Sequence, residues 1–277
     1  METRYLADAV RYAAMSTTEL RASYLVTSLF TPGEIRLVYC EADRAVVGSA
    51  VPGEAPLTLA AADALRAEYF CQRRELGVLN IGGAGTVQVD GTTFAVGPLD
   101  ALYVGRGSRE VVFASADARR QPAEFYLASY PAHAAYPTTP ARRAEATAVA
   151  LGTQAECNRR TIHKYIHPDG IKSCQLVMGF TVLEEGSVWN TMPPHTHTRR
   201  SEIYLYFDVA PDARVFHVMG RPDETRHLVV ADRQAVMSPA WSIHCATATR
   251  RYTFCWVMGG ENQTFDDMDG VKVGALL

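Results

Sequence analysis

The chain has 277 residues, 48% of them hydrophobic and 21% charged, which supplies a full core and excludes a disordered, collagen-like or small disulfide-stapled protein. Lys and Arg total 27 against 30 Asp and Glu, so a formal charge of -3 draws the chain as a whole neither to nucleic acid nor to an anionic membrane. Six scattered cysteines without a CxxC pair read as reduced, mostly buried thiols of a cytoplasmic protein.

The opening METRYLADAVRYAAMSTTEL carries charge and tyrosine throughout and lacks the apolar centre of a signal peptide. No later stretch reaches the roughly 20 apolar residues of a membrane helix. Residues 18–26 fit a short amphipathic helix with Ser16 or Thr17 as its cap. Strand patterns then dominate. Residues 86–96 alternate polar and apolar around Asp90-Gly91, a two-residue hairpin signal. Gly82 to Gly85 precede them as a turn, since no helix or Lys-Ser/Thr follows to make a phosphate cradle. Apolar or alternating runs follow at 102–104, 111–114 and 125–129. After Pro131, Pro137 and Pro140, which predict an extended connector over 131–155, more such runs occupy 173–183, 202–209, 214–219, 226–230, 234–237 and 252–258. The expectation is an all-β chain of two β-barrel (jelly-roll) domains, residues 1–135 and 150–277, with a short N-terminal helical segment.

The halves echo one another. Residues 100–110 lay over 234–244 without a gap, and Arg73-Arg74-Glu75 matches Arg199-Arg200-Ser201-Glu202. This overlay sets Glu110 against His244, and Glu68 and Phe70 against His195 and His197. Residues 1–132 contain no histidine, so the first barrel is expected to carry no histidine metal site.

The chemistry concentrates between Gly186 and Glu202. His195 and His197 are two apart and point to one side of an extended segment, Glu202 opens the next strand, and His244 follows a Pro239 turn. Three imidazoles and a carboxylate form an N/O ligand set for a divalent transition metal. Trp189, Tyr204, Tyr206 and Trp241 flank these ligands as candidate pocket walls. Arg160, Lys172 and Arg199 are candidate cations for an acidic substrate. Glu202, Lys164, His163 and a metal-bound hydroxide are candidate bases. His217 and His227 read as structural.

Gly186…His195-x-His197…Glu202 and Pro239…His244 resemble the two cupin motifs. METRY at the start, Leu29-Phe-x-Pro-Gly-Glu-Ile35, Asp43-Arg-x-Val-Val-Gly-Ser-Ala-Val-Pro52, Asn158-Arg-Arg-Thr-Ile162 and Trp189-Asn-Thr-Met-Pro193 narrow the resemblance to the 5-keto-4-deoxyuronate isomerase family, from the first residues to nearly the last. That resemblance implies a bicupin fold and a homohexamer. It also implies one Zn2+ per chain on His195, His197, Glu202 and His244. The implied reaction converts 5-dehydro-4-deoxy-D-glucuronate to 3-deoxy-D-glycero-2,5-hexodiulosonate in pectin breakdown. The alternatives from the ligand set are an Fe(II)-dependent cupin dioxygenase and a non-catalytic sugar-acid-binding cupin.

Overall fold

The computed structural model describes residues 1–277, which divide into two compact units. The first comprises Met1–Arg4, Ser28–Ala146 and Tyr165–Val177, the second Tyr5–Thr27, Thr147–Lys164 and Met178–Leu277. The bounds differ from a simple cut near residues 131–155, because two segments are assigned out of chain order. Residues 5–27 join the second unit, where the Tyr12 hydroxyl donates to the Met219 carbonyl and Leu25–Val26 pairs with the strand Gln234–Ser238. The expected connector is also more regular than its prolines suggest. It forms the short strands Thr139–Ala141 and Thr147–Leu151, each pairing at a sheet edge, where a proline costs no ladder bond.

In the first unit a seven-stranded sheet runs in the order Glu2–Arg4, Ile35–Cys40, Val46–Ala50, Phe125–Pro131, Arg74–Asn80, Ala101–Val104, Thr139–Ala141. A four-stranded sheet runs Leu57–Thr58, Val111–Ser115, Gly85–Val89, Thr92–Val96, with the expected turn at Asp90-Gly91. Leu76, Val78, Leu102 and Val104 of the larger sheet share one apolar core with Val87, Val89, Val111 and Phe113 of the smaller.

The second unit repeats this plan. Its seven-stranded sheet is ordered Thr147–Leu151, Arg160–Ile166, Val177–Leu183, Thr253–Gly260, Arg200–Phe207, Gln234–Ser238, Leu25–Val26. Its partner sheet is ordered Glu224–Val230, Val215–Arg221, Ile243–Ala248. The helix before them, Thr17–Tyr24, is capped by Ser16 with Glu19 closing a capping box, within two residues of the expected span. Here the strand faces that line the core of the first unit carry polar rings instead. Tyr204, on the strand Arg200–Phe207, meets His217 and His244 of the partner sheet at ring separations of 5.9 and 5.4 Å.

This alternation corrects the overlay. Leu76 and Val78 face the first core, so Glu75, between Arg74 and Leu76, points off the other face, whereas Glu202 shares its face with Tyr204. Glu75 instead accepts from the Tyr103 hydroxyl and from the backbone N–H of Cys174, Gln175 and Leu176 at 2.7–2.8 Å. Glu110 is likewise exposed, and its neighbour Val111 is the residue that enters the core.

Candidate metal centre

The two-residue spacing of His195 and His197 does what a pleat requires. His195 sits in the short strand His195–Thr196 against Asp269–Gly270, and His197 follows on the same side. Glu202 stands on Arg200–Phe207, and His244 on Ile243–Ala248. The ligand atoms of these four residues all lie within 4.8 Å of one another. The Nε2 atoms of His197 and His244 are each 3.0 Å from the Nε2 of His195, and stand 2.7 and 2.8 Å from Glu202 Oε2. His197, Glu202 and His244 are buried.

His197 Nδ1 lies 2.6 Å from the Asp267 carbonyl, an acceptor only, so Nδ1 carries a hydrogen and Nε2 is the nitrogen turned to the centre. His244 Nδ1 meets the Ser242 carbonyl at 3.3 Å in the same sense. Burial drives the His195 imidazole down to about 3, and His244 adds to this, so this ring stays neutral. For Glu202 burial acts upward, but the adjoining His244 and His197 outweigh it and hold the carboxyl well below its usual range. Three imidazole nitrogens and one carboxylate converge on one point, the N/O donor set that a divalent cation takes. The four donor atoms, all within 4.8 Å of one another, are close enough to share one ion. The residues therefore fit a divalent transition metal.

A cavity of about 290 Å³ opens onto His195 and Glu202. Its wall includes Ile162, Phe254, Trp256, Met258, Phe265 and Met268, with Thr181, Thr191, Tyr204 and Arg160 as its polar points. Trp256 reaches across because Gly179 has no side chain: a Cβ there would collide with the indole. The Tyr204 hydroxyl meets Thr191 Oγ1 at 3.0 Å, and burial, with Glu202 nearby, pushes it far above the usual phenol range.

Of the candidate substrate residues, Arg160 and Tyr204 line this cavity. The others lie elsewhere. Arg199 is held by Asp267 at 2.7 and 2.9 Å and by Asp269. Lys172 is exposed and belongs to the first unit. Tyr206 is hydrogen-bonded to His217 at 2.7 Å, Trp241 packs edge-on against Tyr12, and Trp189 is absent from the cavity wall. Of the candidate bases, His163 stacks on Phe180 at 4.6 Å and, one residue from Ile162 along the strand, turns from the cavity. Lys164 places Nζ 3.7 Å from the centre of the Phe265 ring, and Glu202 is committed to the cluster. Sequence reasoning missed the segment 262–269. Its Phe265 and Met268 complete the wall, its Asp267 carbonyl fixes His197, and buried Arg200 pins it through the carbonyls of Thr264 and Phe265. The acidic run Asp266-Asp267-Met268-Asp269 was its only signal.

The KduI/IolB family profile matches residues 24–273. Proteins named 4-deoxy-L-threo-5-hexosulose-uronate ketol-isomerase from Halalkalibacterium halodurans and Shouchella clausii are each 52% identical over 276 residues, covering 100% of both chains. One of the same name from Opitutus terrae is 50% identical over 277 residues, again covering 100% of both. Among solved structures, an IolB-like protein from Salmonella typhimurium aligns with a TM-score of 0.73 at 16% identity, over 87% of this chain and 94% of its own. Oxalate decarboxylase from Bacillus subtilis aligns at 0.55 and 12% identity, over 83% of this chain and 70% of its own. At such identities these two structures speak to the fold alone.

Proposed function

The chain belongs to the KduI/IolB family, and from that premise we propose that it is a metal-dependent ketol-isomerase of uronate breakdown. In this reading one zinc ion per chain serves the conversion of 5-dehydro-4-deoxy-D-glucuronate to 3-deoxy-D-glycero-2,5-hexodiulosonate. The observation that carries it is the meeting of three imidazoles and one carboxylate at a small apolar cavity. End-to-end alignment with relatives of that name supports it.

Isomerisation moves one proton between adjacent carbons and another between their oxygens. A divalent cation at this position supplies Lewis acidity to the carbonyl and hydroxyl oxygens and offsets the charge that develops on them. His195, His197, Glu202 and His244 would hold it, with the Asp267 and Ser242 carbonyls keeping Nε2 of two imidazoles turned inward. Tyr204, kept protonated by burial and lining the cavity, would donate a hydrogen bond to a substrate oxygen. The apolar walls exclude water from the reacting carbons.

The same ligand set accepts Fe(II) as readily as zinc, so the test must separate isomerase from oxygenase. Supplied with the substrate made from an unsaturated uronate, the protein is expected to yield the 2,5-diulosonate by NMR and to consume no oxygen. Activity should vanish on chelation and return with zinc. Oxygen uptake, or binding without turnover, contradicts the reading. The resemblance also supports a homohexamer in the cytoplasm, with light scattering as the check on assembly.

A further inference from the structure

Arg160 is the only arginine or lysine in the cavity wall, and it shares that wall with His195 and Glu202. It stands on the strand Arg160–Ile166, where the pleat turns Ile162, two residues on, toward the same space. A guanidinium offers five N–H donors. One of them, on Nη1, goes to the Asn158 carbonyl at 2.8 Å, and no acid pairs with the group. Burial weakens its hold on its proton.

The neighbouring cations are all occupied. Arg199 is paired with Asp267 and Asp269, Arg200 donates to the carbonyls of Thr264 and Phe265, and Lys164 lies over the Phe265 ring. A partly dehydrated cation with spare donors, set among Phe254, Trp256 and Met258, is stabilised by an anion that brings its own acceptors. The planar fork of arginine fits a carboxylate with two parallel hydrogen bonds. The only carboxylate in the wall, Glu202, is committed to the imidazole cluster.

We propose that Arg160 binds the carboxylate of the substrate and thereby selects sugar acids over neutral sugars, an inference that rests on the isomerase reading above. The acid end is tethered at Arg160, and the carbonyl end is left to face the cluster.

The test compares wild type with Arg160→Gln and Arg160→Lys, each loaded with zinc, on the keto-uronate and on its neutral carboxamide. Arg160→Gln is expected to raise KM for the acid about 10- to 100-fold, the loss of a charge-assisted bidentate contact. KM for the carboxamide, bound zinc and melting temperature should stay close to wild type. Arg160→Lys should recover part of the preference for the acid, and calorimetry should show the product acid binding correspondingly more weakly to Arg160→Gln. An unchanged KM for the acid, or equal shifts for acid and amide, overturns the proposal and leaves Arg160 a structural role. If Arg160→Gln does not fold, Arg160→Lys decides alone: a narrowed acid-over-amide preference supports the proposal, an unaltered one overturns it. Wild-type protein that turns over neither compound overturns the isomerase reading and this proposal with it, whereas an active wild type with an unaffected variant overturns only the role of Arg160.

Discussion

At His244 the proposed isomerase ties one side chain to both metal retention and turnover. It supplies a buried nitrogen to the cluster from a strand 42 residues beyond Glu202 by the numbering of the chain. Replacing it by Ala removes a ligand and leaves the barrel walls intact, so His244→Ala should lose bound metal and turnover together while keeping its β-sheet signal. Metal analysis beside circular dichroism checks this, and full activity in the metal-free variant would contradict it. Gly179 makes a second case, because its missing Cβ leaves room for both the His163 carbonyl and the Trp256 ring. Gly179→Ala should cost about 1–3 kcal/mol through overpacking and push Trp256 toward the cavity, lowering kcat/KM and shifting tryptophan fluorescence. The four cluster residues were legible in the sequence because a pleat turns two-residue spacing into a shared face. The Asp267 contribution was not, because it acts through a backbone carbonyl that any residue type provides.

Strand faces and helix ends carry the next level. Ser16 accepts from the Glu19 N–H while the Glu19 carboxylate accepts from the Ser16 N–H. Ser16→Ala should therefore lower stability by about 1 kcal/mol, read as a shift in the urea midpoint with an unchanged slope. His217, fully buried on the strand Val215–Arg221, is driven down to about 3 by burial, with His244 adding to the effect. In the unfolded chain an imidazole takes up its proton near 6.5. Between these values the unfolded state holds the extra proton, so stability falls as pH falls from about 6.5. His217→Gln should flatten that decline by up to about 1.4 kcal/mol per pH unit. Parallel declines in wild type and variant, followed by urea unfolding from pH 6.5 to 4, would contradict it. Element types and the hairpin at Asp90-Gly91 were readable from alternation and turn chemistry. The facing of Glu75 was not: Arg-Arg-Glu and Arg-Arg-Ser-Glu look alike as words, yet one residue of slip sends the carboxylate to the opposite side of its sheet.

Over the whole chain, two units share one strand plan and differ in what fills it. The first packs Leu, Val and Phe between its sheets, and the second places Tyr204, Tyr206, His217 and His244 in the corresponding space. A barrel filled with aliphatic side chains is a scaffold, whereas one lined by polar rings and a carboxylate can do chemistry. The repeat was visible in local similarity, but the assignment of residues 5–27 to the second unit was not. That assignment depends on Tyr12 reaching Met219 and Leu25 pairing with Val236, contacts more than 200 residues apart in sequence that no local pattern announces. The proposed chemistry of the second unit depends on the four-residue cluster holding a metal. Anomalous diffraction from crystals of the protein purified without added metal, recorded on both sides of the zinc absorption edge, tests this most directly. One zinc peak per chain is expected, about 2.0–2.2 Å from the Nε2 atoms of His195, His197 and His244 and from a Glu202 oxygen. Crystals with those four side chains in place and no anomalous peak between them would contradict it.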